Sequence, residues 1–362
     1  MTDAIVHFLV PDGIDDGERV SGGNVYDRRL AEALRDRGLE VRLVPVAAGR
    51  VADAANALSA LPRDALVLID GLLAVPASTA LAAHSTRLGT VVLAHMVASA
   101  LSGGREAART AERERVALHA ARRVITTSEW TRSELVARAL AEPDRIVVAL
   151  PGTDDAPAAP GSGSGGRLLC VGAVVPHKGQ DVLVNALAGM IDLPDWSCAI
   201  VGSLDADREY ATRTRAAIRS AGLEERVTLM GVLSDRRLED AYRTADLVVA
   251  PSRAESYGMV VAEALARGIP VVASRVGGVA EAIAGSRGGI LVTPNDPVAL
   301  RAFLRRWQED PGRRAVLKAE AVRSRVVFAG RTWDAAAAIV ATVLGRLRPT
   351  MDAIAPERRR TA

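Results

Sequence analysis

Residues 247–274 read LVVAPSRAESYGMVVAEALARGIPVVAS. Two short valine-rich runs, Leu247 to Ala250 and Pro270 to Ser274, flank a loop ending near Gly258 and an alanine-rich stretch that suits a helix. Strand, helix and strand within about 30 residues is a parallel crossover unit, because two parallel neighbours need a long connection between them.

The same alternation runs outward in both directions. Strand candidates in the first half are Ile5 to Val10, Val41 to Val46, Ala65 to Asp70, Thr90 to His95, Val124 to Ser128 and Ile146 to Ala149. In the second half they are Arg167 to Val171, Ser197 to Val201, Val227 to Met230, Leu247 to Ala250, Pro270 to Ser274 and Ile290 to Val292. Both halves read as six-stranded, doubly wound α/β units. Between them, PGTDDAPAAPGSGSGG at 151–166 is too rich in Pro, Gly and Ser for a helix or a central strand. The expected division is a first domain over 1–150, a linker over 151–166, a second domain over 167–330, and a tail over 331–362. An alanine-rich helix, Thr332 to Leu347, is expected to pack that tail back on the first domain.

Composition agrees with two globular units. The 362 residues are 49% hydrophobic, 25% charged and 3% aromatic, which excludes disordered and fibrous classes. Uninterrupted apolar runs such as Ala335 to Leu344 fall short of the 18 or so residues of a membrane span. No basic region precedes the first apolar run, so no secretory leader is read and a cytoplasmic location is expected. Cys170 and Cys198 each sit inside an apolar run and read as small buried hydrophobes, not as a disulfide or zinc framework. Basic residues are dispersed along the chain, which has a net charge of +3, so no nucleic-acid partner is expected. Two of the 46 cations are lysines, Lys178 and Lys318. In so arginine-biased a chain, a lysine inside a glycine-bearing loop suggests use of its compact point charge.

Ligands of open α/β sheets bind beyond the carboxyl ends of the strands, where strand order reverses. Three strand-to-helix loops carry candidate chemistry. After the first strand, Gly22 and Gly23 precede an amphipathic stretch, Asn24 to Arg37, and would present amides at a helix N-terminus suited to an anion. The acidic run Asp12 to Glu18 before them reads as a solvated lip. After the first strand of the second half, VGAVVPHKGQD at 171–181 places Lys178 where it can neutralise a phosphate, with His177 an ordinary loop residue.

The third loop, 251–258, is the most specific. Glu255 and Glu263 would be roughly 12 Å apart if both were helical, beyond the about 5 to 9.5 Å of a paired-carboxylate glycosidase. With Glu255 in the loop and Glu263 in a helix starting near Gly258, the amides of Tyr257, Gly258, Met259 and Val260 point between two acids. That arrangement suits a ligand with hydroxyls at both ends and an anion in the middle, the shape of a sugar nucleotide.

The block PSRAESYGMVVAEALARGIPVVASRVGG resembles the signature of retaining glycosyltransferases of family four, whose GT-B fold faces two Rossmann-like domains across a cleft. The resemblance extends through the glycine pair, the VG…KG loop and the glycines before Val279. It implies that Glu255 contacts hydroxyls of the donor sugar, with Ser256 beside it, and that Glu263 holds the nucleotide ribose. It further implies that Gly22, Gly23 and Lys178 bind the diphosphate, that Val232 and Leu233 border the base, and that His95 works near sugar and acceptor. Asn24, Asp70 and Tyr257 would line the region where sugar and acceptor hydroxyls meet.

The chain departs from the family at Ala173, often an arginine there, which leaves Lys178, backbone amides and either Arg253 or Arg19 to neutralise the diphosphate. The DxD-like strings Asp205 with Asp207 and Asp154 with Asp155 read as solvated loops, and neither a metal nor another cofactor is expected to be required. The implied activity is retaining transfer of a sugar from a nucleotide-diphosphate donor to an acceptor hydroxyl. A sugar-nucleotide 2-epimerase and a non-catalytic sugar-nucleotide-binding protein are the rival readings. Acceptor, donor base, donor sugar and oligomeric state are open. Peripheral membrane contact, through Arg358 to Arg360 or the charged segment Arg105 to Arg123, follows only if the acceptor is a lipid.

Overall fold

The computed structural model describes residues 5–17, 20–47, 49–100 and 103–347. Arg19, Glu18 and the arginines at 358–360 lie outside the described residues.

Among the described residues, twelve strands form two all-parallel sheets. The first comprises β1 (Val6–Pro11), β2 (Val41–Val46), β3 (Leu66–Asp70), β4 (Gly89–Ala94), β5 (Arg123–Thr126) and β6 (Ile146–Val148), in the order β2-β1-β3-β4-β5-β6. The second comprises β7 (Arg167–Val171), β8 (Ser197–Val201), β9 (Val227–Gly231), β10 (Leu247–Ala250), β11 (Val271–Ser274) and β12 (Gly289–Val292), in the order β12-β11-β10-β7-β8-β9. Strand order therefore reverses between β1 and β3 in one sheet and between β7 and β10 in the other. Helices cover both faces of each sheet, which is why β3, LVLID, is buried along its whole length.

The segment 151–166 has no regular structure, yet it is fastened along the second domain. Ala159 N donates to Arg267 O at 2.8 Å, Ser162 N donates to the Asp246 carboxylate at 2.8 Å, and Arg325 donates to Ala156 O at 2.6 Å. The chain returns at 330–332 beside its outward crossing, where Thr153 N donates to Arg331 O at 2.7 Å. Nothing larger fits at Gly152, since a Cβ there would lie 2.3 Å from Trp333 N. The helix Trp333–Gly345 then buries Ala337, Val340 and Leu344 in a core shared with Tyr26 and Leu30 of the first domain. By length and composition, Pro311–Gly345 is apolar enough to cross a bilayer. Here it is two helices, Pro311–Ala329 and Trp333–Gly345, each packed by one face against a domain.

Cys170 and Cys198 are free and buried, and burial pushes the Cys170 thiol up to about 12.

Candidate functional site

The loops after β7 and β10 meet at the switch point of the second sheet. Pro176–Lys178 forms one tight turn, and Gly179 follows at φ 69°, where a Cβ would lie 2.2 Å from Pro251 O. This close backbone crossing seats the lysine loop directly on the β10 loop. His177 O accepts from Arg253 N at 2.7 Å, which locks the two loops together. Burial, with the Lys178 charge beside it, lowers the His177 pKa and favours the neutral ring.

Lys178 Nζ donates to Glu255 Oε2 at 2.6 Å, and the Ser252 hydroxyl reaches the same oxygen at 3.4 Å. Behind Glu255 the backbone is clamped: Gly278 N donates to Glu255 O at 3.1 Å, and Gly277, at φ 51°, would bring a Cβ within 1.7 Å of that oxygen. Ser256 is half-buried in the same loop. Gly258, at φ 99°, caps the helix Met259–Ala266, whose first amides have no partner within the helix. Glu263 lies one turn along and accepts from the Tyr242 hydroxyl at 2.9 Å. Burial raises the Glu263 pKa, although that hydroxyl and Arg267 oppose it. Val232 and Leu233 are half-buried just past β9, with Leu233 packed on the second core.

Three sequence expectations are corrected here. Arg253 is not turned toward a diphosphate: it forms a two-pronged pair with the Asp181 carboxylate at 2.8 and 2.7 Å and also donates to Asn295 and Pro176 O. A carboxylate matched to both guanidinium prongs outcompetes weaker partners. Burial would raise the Asp181 pKa, but hydrogen bonds from Arg253 and Tyr210 outweigh it and hold the carboxyl low. Tyr257 does not line the cleft with its ring, which is buried with its hydroxyl 3.1 Å from Arg331. Gly22 and Gly23 do not precede the helix but form its first turn, Gly22–Asp36, because Ser21 caps it by accepting from Asn24 N at 3.1 Å. Their amides still stand at the helix N-terminus.

The acidic lip is also more than solvated surface. Ile14 inserts into the first core, and Gly13 O accepts from the Asn24 side chain at 3.2 Å, so Asn24 braces the loop. Three of the four acids in the DxD-like strings have protein partners. Asp207 caps a helix by accepting from Tyr210 N, Asp205 pairs with Arg208, and Asp154 pairs with Arg29.

The first sheet supplies a second cluster at its own switch point. Asp70 ends β3, His95 follows β4, and Asp27 projects from the helix after β1. His95 Nε2 lies 2.8 Å from Asp27 Oδ1 and 3.8 Å from Asp70 Oδ2. Asp70 also accepts from Leu72 N at 2.6 Å. Burial and the neighbouring Asp27 push Asp70 up to about 7. Burial alone would lower His95, but the charge and hydrogen bond of Asp27, helped by Asp70, raise it to about 9. The polar atoms of the three residues lie within 4.8 Å of one another. The Nε2–H···Oδ1 bond accounts for the approach of His95 to Asp27, while Asp70 Oδ2 stands 3.8 Å from the same nitrogen.

Asp27 is the residue that sequence reasoning missed. A signal existed: a carboxylate between Tyr26 and Leu30, on the buried face of an amphipathic helix. Such a group needs a partner.

The two clusters face one another across the domains. A Cβ at Gly22 would lie 3.7 Å from Met259 Sδ, and one at Gly23 would lie 3.5 Å from His95 Cδ2. At the far lip, Glu281 accepts from Glu129 N at 3.0 Å and Trp130 N at 3.4 Å, capping the first-domain helix Glu129–Ala137 from the second domain.

Residues 159–324 match the family model of glycosyl transferases group 1. Curated relatives include the D-inositol 3-phosphate glycosyltransferase of Acidothermus cellulolyticus, 35% identical over 253 residues, covering 65% of this chain and 54% of that protein. The protein of the same description from Xylanimonas cellulosilytica is 40% identical over 177 residues, covering 49% of this chain and 41% of the relative. The chain thus spans about half the length of the curated relatives it matches. Among solved structures, sucrose-phosphate synthase from Thermosynechococcus elongatus superposes with a TM-score of 0.79 at 21% identity, covering 95% of this chain and 99% of that one. Anabaena HepE, in complex with UDP and glucose, gives 0.74 at 20% identity, covering 95% and 100%. The two-sheet architecture is the GT-B fold that these structures share.

Proposed function

Because the chain carries a glycosyl transferases group 1 segment over residues 159–324, we propose that it is a retaining glycosyltransferase. In this reading it moves a sugar from a nucleotide-diphosphate donor to an acceptor hydroxyl without a required metal. The observation that carries the reading is the Lys178–Glu255 pair, with Glu255 beside Gly258 at the start of the helix Met259–Ala266, which Gly22 approaches from the first domain. A donor diphosphate held there takes Lys178 from Glu255 and meets the amides of Gly22, Gly23, Met259 and Val260. The released Glu255 carboxylate then accepts from sugar hydroxyls, and Glu263 accepts from the ribose.

Bond cleavage between C1 and the diphosphate oxygen develops negative charge on the leaving group. Fixed amides and one ammonium stabilise that charge with little reorganisation. The acceptor oxygen bonds to C1 on the face the diphosphate leaves, and its proton passes to the departing diphosphate oxygen. This step needs no protein nucleophile. Anabaena HepE has been solved with UDP-glucose, so uridine nucleotides are the first donors to try, and the acceptor is an alcohol.

A thermal-shift panel of UDP, GDP, ADP and their sugar conjugates tests the reading without an acceptor, since a ligand of the folded state raises the midpoint. One nucleotide series should shift it, the sugar conjugate more than the free diphosphate. No shift with any series would contradict the proposal.

A further inference from the structure

We infer that Asp27 is a positioning residue, which fixes the His95 ring and keeps it protonated so that His95 Nδ1 donates a hydrogen bond to a substrate oxygen in the cleft. This inference rests on the transferase reading above. It follows from three observations. First, His95 Nε2 donates to Asp27 Oδ1 at 2.8 Å, which commits that nitrogen and leaves Nδ1 as the ring's other polar atom. Second, the ring packs edge-to-face against Tyr26 with centroids 5.2 Å apart and lies close enough to Gly23 that a Cβ there would stand 3.5 Å from its Cδ2, which holds it beside the helix N-terminus. Third, among the described residues no other group donates to the buried Asp27 Oδ2 and Asp70 Oδ2, while burial and the adjoining Asp27 favour a proton on Asp70.

Two buried carboxylates with spare acceptor capacity are costly unless positive charge stands beside them. Among the described residues, His95 is the cation that pairs with them, and the groups that face it are Asp27, Asp70 and the Tyr26 ring. The direction of its pKa shift agrees with the geometry. A histidine paired in this way is a donor and a poor base, so the cluster suits recognition of a hydroxyl or phosphate oxygen and not its deprotonation. Asp70 adds a second buried carboxylate whose proton affinity is raised by the first.

Asp27→Asn tests this assignment while preserving shape. Histidine signals followed by NMR against pH should place His95 near pH 9 in the native protein, and in Asp27→Asn the titration should fall to below about pH 8. The high-pH limb of the transfer rate should move down by the same interval, with rates restored toward the native value at pH 6. A titration that stays in place in Asp27→Asn would overturn the inference, as would an activity loss uniform across pH. So would zinc that abolishes the His95 titration, because the cluster would then serve a cation. The NMR readout needs no donor, so a failed transfer assay with an intact shift in titration would indict the transferase reading instead.

Discussion

The two switch points carry ionic clusters of opposite design. In the first domain, the side chains of Asp27, Asp70 and His95 are 0%, 1% and 9% exposed and are locked by packing. In the second, Lys178 and Glu255 remain 26% and 18% exposed on loops. A buried pair has no alternative to its partner and is assembled as the chain folds. A half-exposed pair can exchange partners at small cost. The contrast gives the first domain a rigid cluster and the second an exchangeable one, as the proposed transfer would need where its leaving group is met and released.

If that contrast is right, substitutions in the second cluster damage turnover and spare stability. Lys178→Ala should lower turnover by about 10² or more, the scale of losing one fixed electrostatic contact to a developing charge. Its thermal midpoint should stay within about 2 °C of the native value. Steady-state kinetics beside calorimetry checks this, and a large midpoint drop would erase the distinction.

The first cluster should behave the other way. Asp27→Ala strands a buried cation and should cost about 3 kcal/mol of stability in a denaturant titration. The pH dependence sharpens the point. His95 is raised from 6.5 to about 9, so its stabilising proton is fully present below pH 6.5 and is lost as pH rises through 9. Asp70, raised from 3.8 to about 7, acts in the same direction: its contribution is full below 3.8 and gone above 7. The native midpoint should therefore fall as pH rises from 6.5 to 9, and in Asp27→Ala the fall should flatten.

Gly277→Ala probes the backbone under Glu255. A Cβ there lies 1.7 Å from Glu255 O, at a φ that disfavours side chains, so the loop must shift. Sugar-nucleotide affinity should weaken by about tenfold, a loss set by misplacement of one polar contact, while free-nucleotide affinity changes less. Titration calorimetry with both ligands reads the split. The smallest effect is expected at Glu281→Gln. Its carboxylate caps the helix of the other domain, and loss of that charge should cost under about 1 kcal/mol and fade in high salt.

Much of this was legible in the sequence because local signals sufficed. Each of the twelve short β-branched runs is a strand among the described residues, with ends that differ by at most two residues. Gly258 marked the start of the Glu263 helix, and the isolated Lys178 marked the loop that meets Glu255. The illegible parts depend on partners distant in sequence. Arg253 is drawn to Asp181, 72 residues away, and Tyr257 turns from the cleft to Arg331, 74 residues away. Asp27 looked like one more charge on a charged helix until β3 and β4 placed Asp70 and His95 beside it. The glycine pair joined the helix because Ser21 supplied the cap two residues earlier than periodicity suggested.

The most direct test of the account is titration calorimetry of one nucleotide and its sugar conjugate against the native protein, Glu255→Gln and Glu263→Gln. The account predicts that Glu263→Gln weakens both ligands alike, whereas Glu255→Gln weakens only the sugar conjugate. Equal losses for free nucleotide in the two variants would contradict the division of the site into sugar and ribose contacts.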